Sequence, residues 1–254
     1  IMITLIIQWA ILLWVIRSII MDFSTKLLEA KLVKRYKRFL ADVVFSDGKK
    51  NTIYCPNPGS MIGLKENGCK VWVQKAENPK AKFSLVWKLV ENSDGTLVCI
   101  DTQIANKIVF EALYHHKIPG LENYTEIITE PKIGDRSRLD FLVNFQDRPS
   151  CYLEVKSVTL SRLPGIAEFP DSVTSRGSKH LKLLTEIKSR GFRAIQLYVV
   201  QRNDANFFKI AEDIDQDYNE SFVQAKSLGV EIKPFRSEIT TSDISLGSFS
   251  PKLL

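Results

Sequence analysis

The stretch "CYLEVKSVTL" places a carboxylate and an ammonium group two positions apart on a predicted strand. Side chains alternate between the two faces of a strand, so Glu154 and Lys156 share one face while Leu153 and Val155 lie on the other. An acidic and a basic side chain in this arrangement form either an ordinary ion pair or half of a metal-dependent nuclease centre. The neighbouring sequence must decide between these two interpretations.

A second carboxylate precedes this strand in "RLDFLVNFQDRPSCYLEVKSV", which we interpret as a β-hairpin. Pro149 cannot donate a ladder hydrogen bond, so it is placed in the turn. The resulting register sets Asp140 directly opposite Glu154, with their Cβ atoms about 5 Å apart. Like charges that face each other destabilise a sheet, and something must therefore compensate for them.

The sequence is compatible with two kinds of compensation. Lys156 or Arg138 could pair with the carboxylates in a purely structural arrangement. A divalent cation, Mg²⁺ or Mn²⁺, could instead be bound by Asp140 and Glu154 together with phosphate oxygens and water. Lys156 would then orient or deprotonate an attacking water, or stabilise the charge that develops on phosphate.

The elements that must position these residues fall into two groups. Residues 21–100 contain short alternating strands, the first of them "RYKRFLADVVF", and Asp-Gly turns, which predict a small OB-like β-barrel. Residues 101–236 predict the order α-β-β-β-α-β-α-β, typical of a mixed α/β, three-layer domain with helices packed on a sheet. Residues 237–254 are polar and are expected to form a loop-like C-terminal tail.

The remaining features limit the class of protein. Residues 1–20 are almost wholly apolar, with Arg17 as the only charge. We interpret them as upstream translated sequence before a start at Met21 and expect no membrane association, with a membrane anchor as the alternative. The four cysteines have no metal-ligand spacing, which favours a reducing cytoplasm. A net charge of +6 suits a polyanionic partner or simply a slightly basic enzyme.

Several longer motifs occur in order along nearly the whole chain from Met21: "RYKRFLADV", "YCPNPGSM", "RSRLDFLV", "CYLEVKSVTL" and "FPDSVTSRGSKHL". In these motifs the sequence resembles the sugar fermentation stimulation protein family. At Asp140 and at Glu154-Val155-Lys156 it resembles the PD-(D/E)xK nuclease superfamily, although Leu139 stands where that motif has proline. The resemblance implies DNA binding, an OB-like N-terminal domain and a restriction-endonuclease-like C-terminal domain.

The same resemblance draws attention to the first helix of the second domain, because superfamily members often add an acidic metal ligand there. Glu111 is the candidate in this sequence, and a solvated helical glutamate is the alternative interpretation. Glu130, on the preceding strand, is a second choice.

Two basic clusters are candidates for contact with the nucleic-acid backbone. Arg176, Lys179 and His180 lie at the start of a helix that Ser178 is expected to cap, where the helix dipole favours phosphate. The other cluster interleaves basic residues with aromatic ones in the barrel, as proteins that track a backbone and stack bases do. It comprises Lys34, Arg35, Lys37 and Arg38.

From these features we expect a cytoplasmic protein that binds DNA, with RNA left open, and hydrolyses phosphodiester bonds without strong sequence preference. Mg²⁺ or Mn²⁺ would be the cofactor, and no small-molecule cofactor is expected. The competing interpretation is a DNA-binding regulator that keeps the nuclease fold as a scaffold without catalysis. The sequence leaves the oligomeric state open.

Overall fold

The computed structural model describes residues 21–134 and 137–254. Our interpretation of residues 1–20 lies outside the described residues. Within the described ranges, no helix is both long enough and apolar enough to span a bilayer.

The N-terminal domain is a closed five-stranded barrel, as predicted. Strands β2 to β6 form the barrel in the order β4-β3-β2-β5-β6, a pairing between β4 and β6 closes it, and β7 extends the sheet. The strands are β1 (Met21–Asp22), β2 (Leu28–Tyr36), β3 (Leu40–Val44), β4 (Lys50–Tyr54), β5 (Lys70–Lys75), β6 (Leu85–Glu91) and β7 (Leu97–Cys99).

One element of the barrel differs from the sequence interpretation. The run "RYKRFLADVVF" was expected to form a single strand, but it folds as two strands, β2 and β3, joined by a tight turn. Lys37 and Arg38 occupy this turn with φ angles of 48° and 61°. The prediction was wrong because the turn contains neither glycine nor proline, and alternation continues on both sides of it.

The C-terminal domain has the predicted element order around a seven-stranded sheet, β1-β18-β17-β15-β12-β11-β8, and a smaller sheet, β13-β14-β16-β19. Its helices are α1 (Thr102–Tyr114), α2 (Ser175–Ser189) and α3 (Gln216–Ser227). Its first strands are β8 (Glu126–Thr129), β9 (Lys132–Ile133), β10 (Ser137–Arg138), β11 (Phe141–Asn144), β12 (Cys151–Val158), β13 (Leu160–Leu163) and β14 (Ile166–Phe169). The others are β15 (Arg193–Val200), β16 (Phe207–Ile210), β17 (Glu231–Ile239), β18 (Asp243–Leu246) and β19 (Lys252–Leu253).

The three layers follow from the alternation of side chains along the central strands. Leu153 and Val155 of β12 pack in the core that contains α1. Val158 of β12 and Tyr198 of β15 pack in the opposite core, beneath α2 and α3. The face that carries Glu154 is therefore the face that α2 covers.

The expectation of a loop-like tail at 237–254 was wrong. β17 extends to Ile239, and β18 then pairs with β17 on one side and with the N-terminal β1 on the other. Ile244 of β18 is fully buried. The segment is polar on average, but its few apolar residues alternate with polar ones, which is enough for a short strand with one buried face.

The two domains share one apolar cluster, while the interior of the barrel forms a separate one. Phe23, Leu27 and Trp72 from the N-terminal part pack in the same cluster as Ile108 of α1 and Val199 of β15. Because this shared cluster is continuous, the barrel and the central sheet hold a fixed relation to each other.

Candidate active site

Asp140 and Glu154 meet where the predicted hairpin places them. β11 pairs with β12 so that Phe141 lies opposite Leu153, and one step further along this register sets Asp140 opposite Glu154. The backbone N–H of Asp140 donates to the carbonyl oxygen of Leu153 at 3.1 Å. The register inferred from the turn is thus the register of the fold.

The Asp140 carboxylate is held by two donors. Oδ2 accepts a hydrogen bond from the backbone N–H of Val155 at 2.7 Å, and Oδ1 accepts one from Nδ2 of Asn106 at 2.7 Å. Asn106 lies on α1, whose first turn is capped by Asp101 through a bond to the N–H of Gln103. Asp140 therefore has a fixed orientation that depends on the docking of α1.

Glu154 is almost fully buried, with 3 % of its surface exposed. Its Oε1 accepts from Nζ of Lys156 at 2.5 Å and also contacts Nδ1 of His180. Because Nε of Arg176 donates to Nε2 of His180 at 3.5 Å, the Nδ1 atom is left to donate to the carboxylate. Its Oε2 is buried and has no hydrogen-bond partner among the described residues.

The pKa values of the two carboxylates are shifted in opposite directions. Burial, followed by the neighbouring charge of Glu154, raises the pKa of Asp140. Burial also acts to raise the pKa of Glu154, but the charge of Lys156 and the hydrogen bond from His180 outweigh it, and the pKa is lowered. The raised pKa of Asp140 therefore reflects the cost of burying its charge, to which the negative charge of Glu154 adds.

The residues present fit a divalent cation in part. A buried Glu154 oxygen without a partner, next to a second carboxylate, is the donor set that Mg²⁺ takes from proteins. No group of three or more Asp, Glu, His or Cys side chains within residues 21–134 and 137–254 is arranged to hold a metal ion. The pair can therefore supply only part of a coordination shell, with water and substrate oxygens completing it.

Residues of both domains line a cavity next to the carboxylates. The volume of this cavity is about 500 Å³. The barrel contributes Arg38, Asn57 and Gly59, and the C-terminal domain contributes Asn106 and Arg176 among others. The arginines at its rim are suited to contact phosphate groups.

The motif "CPNPGSM" forms one wall of this cavity, although the sequence alone assigned it no chemistry. The guanidinium of Arg35 donates to the carbonyl oxygens of Asn57 and Gly59 at 2.8 and 2.9 Å. Across the domain boundary, the N–H of Met61 donates to Oδ2 of Asp171 at 3.0 Å, and the Ser60 hydroxyl donates to the Asp171 carbonyl. Arg35, predicted as a nucleic-acid contact, has its guanidinium directed to this loop instead.

The predicted basic residues at α2 line a second groove, about 690 Å³ in volume, that shares Arg176 with the cavity. Lys132, Arg138 and Lys179 also line it. His180 was predicted as a phosphate contact, and in the structure its Nδ1 contacts Glu154 while its Nε2 accepts from Arg176. Ser178 does not cap the helix, which begins three residues earlier with Thr174 as its N-cap.

Glu111 does not line the cavity in the described structure, and Asn106 is the α1 side chain that reaches Asp140. Glu130 pairs with Arg138 at 3.2 Å on the surface, so Arg138 does not compensate the carboxylates. Lys37 is exposed in the β2–β3 turn.

Lys34 is exposed on β2, with its ammonium 3.7 Å from Asp42 and 5.2 Å from the ring centroid of Tyr36. Asn106 and Asp171 were not predicted. Their roles depend on which elements pack together, and neither has a local signal, although Asp171 lies inside the motif "FPDSVTSRGSKHL".

Comparison with known proteins gives a consistent assignment. Residues 33–100 match the family described as the SfsA N-terminal OB domain, and residues 103–243 match the sugar fermentation stimulation protein RE domain. A sugar fermentation stimulation protein homolog from Ruegeria sp. is 46% identical over 91% of this chain and 100% of its own length. The chain belongs to the sugar fermentation stimulation protein family.

A Pseudoalteromonas atlantica member of the family is 42% identical over 92% of this chain and 100% of its own length. The structure of Pyrococcus furiosus SfsA in complex with Ca²⁺ has a TM-score of 0.83 to this chain, at 23% identity, over 92% of this chain and 98% of that one. The fold is thus shared with a distant member of the family.

Proposed function

We propose that this protein binds DNA and hydrolyses its phosphodiester bonds in the cavity between the two domains, with Mg²⁺ or Mn²⁺ as cofactor. The observation that carries the proposal is the buried Glu154 opposite Asp140. One of its oxygens is held by Lys156 and His180, and the other has no partner within residues 21–134 and 137–254. A buried Glu154 beside a half-buried Asp140 costs stability, and a cation that also binds phosphate would offset this cost.

Each residue has a distinct role in this proposal. Asp140 and Glu154 would hold the cation, which when bound polarises a phosphoryl oxygen. Asn106 and the N–H of Val155 keep Asp140 oriented, and His180 orients Glu154. The Lys156 ammonium lies on the carboxylate face, where it stabilises negative charge developing on the phosphate.

Backbone contacts would come from Arg38 at the barrel rim and from Arg176 and Lys179 at the start of α2. They are cationic side chains at the cavity and the adjoining groove, and they recognise phosphate without reading base edges. The Ca²⁺ held by the related Pyrococcus furiosus protein is, like Mg²⁺, a hard cation with oxygen ligands, which is consistent with a cation-dependent function here.

Incubation with single- and double-stranded DNA and Mg²⁺ or Mn²⁺ tests the proposal. We expect cleavage that EDTA abolishes, and a rate loss of about 10²- to 10⁴-fold in Glu154→Gln and in Lys156→Met. Glu186→Gln, on the exposed face of α2, serves as a matched control and should retain the wild-type rate.

Absence of cleavage with either metal, or full activity in Glu154→Gln, would contradict a nuclease. Salt-dependent DNA binding that survives under those conditions would favour the non-catalytic regulator instead.

A further inference from the structure

We infer that the cavity receives one polynucleotide strand, either a single-stranded segment or a frayed strand end, and that an aromatic platform on the β2–β3 hairpin guides it there. The platform is formed by Phe39 and Tyr54, next to Arg38. This inference rests on the proposed function, since it names the form of nucleic acid that the same site takes.

The depth of the carboxylates is the first argument. The side chains of Lys156 and Glu154 are 14% and 5% exposed, and the cavity above them has a volume of about 500 Å³. This volume lies within the range of about 300–1,000 Å³ of pockets for small molecules. A phosphate that reaches Glu154 must enter this space, which favours a separated strand over an intact double helix.

The 55–61 loop, which forms the wall of the cavity, is held by hydrogen bonds from both domains. Arg35 fixes the loop carbonyls from the barrel side, while Asp171 binds Ser60 and Met61 from the other domain. Each contact joins the loop to a separate part of the fold. Widening the entrance to admit a duplex would therefore break several buried or half-buried hydrogen bonds at once.

The β2–β3 hairpin presents an exposed aromatic surface next to Arg38. Phe39 is 39% exposed and stacks on Tyr54, with ring centroids 6.3 Å apart and an interplanar angle of 28°. Its backbone oxygen accepts from the N–H of Cys55, which joins the hairpin to the loop that forms the wall. Arg38, the preceding residue, lines the cavity itself.

An exposed ring next in sequence to a cation that lines the cavity suits a single strand. Stacking on aromatic side chains requires an unpaired base, because the base faces in a duplex are covered by their neighbours. The arginine can contact the backbone phosphate that follows the stacked base.

Binding measured by fluorescence anisotropy in EDTA tests the inference without cleavage. The probes are labelled oligo(dT), oligo(U) of equal length and a blunt hairpin duplex. We expect one of the two single strands to bind at least tenfold more tightly than the duplex. Comparison of oligo(dT) with oligo(U) shows whether DNA or RNA is preferred. Phe39→Ala should weaken that binding by about fivefold to a hundredfold, and Phe39→Trp should restore it.

Phe207→Ala is the matched control, because Phe207 is also 39% exposed but lies on β16 and not on the β2–β3 hairpin. It should bind like the wild type. Thermal denaturation of each variant shows whether it is folded. Equal affinity for single strand and duplex, or unchanged binding in Phe39→Ala, would overturn the inference and leave the proposed function intact. Binding to none of the three probes would overturn both.

Discussion

Glu154 has two different oxygens, and the difference explains how a buried carboxylate is tolerated at this position. Lys156 and His180 satisfy Oε1, so the ionised form is stable there despite burial. Oε2 is buried and has no partner among the described residues. In a purely structural ion pair, both oxygens of a buried carboxylate are expected to have hydrogen-bond partners. We therefore favour a cation as the partner of Oε2.

His180 is expected to act as a positioning residue through Glu154. His180→Ala removes the donor to Oε1 and should lower kcat/KM for cleavage by about 10- to 100-fold. KM for DNA should stay unchanged, because His180 is only 8% exposed. His180→Asn keeps a donor near the Nδ1 position and should recover much of the activity. Cleavage kinetics at varied DNA concentration measure both constants.

The exposed His116 provides the control for this experiment. Its φ angle of 55° is tolerated by asparagine, so His116→Asn should leave kcat and KM unchanged. A rise in KM for His180→Ala with constant kcat would contradict the positioning role, and would instead favour the direct phosphate contact that the sequence first indicated.

At the scale of elements, the contact between the 55–61 loop and the segment after β14 joins the domains at the cavity. A Cβ atom added at Gly59 would lie 2.3 Å from Oδ2 of Asp171, and this close approach requires glycine although the backbone there has no positive φ. The same carboxylate accepts from Met61. The loop and the carboxylate therefore fit each other only with glycine at this position.

Gly59→Ala should accordingly lower the free energy of unfolding by about 1–3 kcal/mol through overpacking. Asp171→Ala removes the atoms that would clash, so adding Gly59→Ala to that background should cost much less. Urea denaturation of the two single variants and the double variant gives the coupling free energy, which we expect at about 0.5–3 kcal/mol. Additive effects would show that the two residues are not in contact.

At the scale of the whole molecule, the shared apolar cluster couples the two domains. Leu27 precedes β2 in the sequence and packs with residues of α1 and the central sheet. β1 from the same N-terminal segment completes the edge of that sheet beside β18. A perturbation in this segment should therefore spread to both domains.

Leu27→Ala should destabilise the protein by about 2–5 kcal/mol, because the side chain is buried with 6% of its surface exposed. Hydrogen–deuterium exchange followed by mass spectrometry measures the effect on each domain. Peptides that cover β5 of the barrel and β12 of the central sheet should both exchange faster, by similar factors. Faster exchange confined to the barrel peptides would indicate that the domains open independently.

The sequence by itself determined the barrel, the element order of the second domain and the register that joins Asp140 to Glu154. These features depend on local rules: alternation decides which face a strand residue occupies, and the position of Pro149 in the turn limits the hairpin to one register. A one-residue slip of the register would move every buried residue of β12 to the wrong face. The alternation of apolar and polar residues was therefore enough to predict the register.

The tertiary structure alone decided which side chains support the carboxylates. Asn106, His180 and Asp171 reach the site from different elements, and their positions depend on how α1, α2 and the barrel loop pack on the sheet. The sequence placed His180 at the start of the correct helix but did not reveal its contact with Glu154. It proposed Glu111 as the acidic side chain of α1 near the site, whereas Asn106 is the α1 side chain that contacts Asp140. A helix's rotation on a sheet is set by its whole buried face, and no short motif records it.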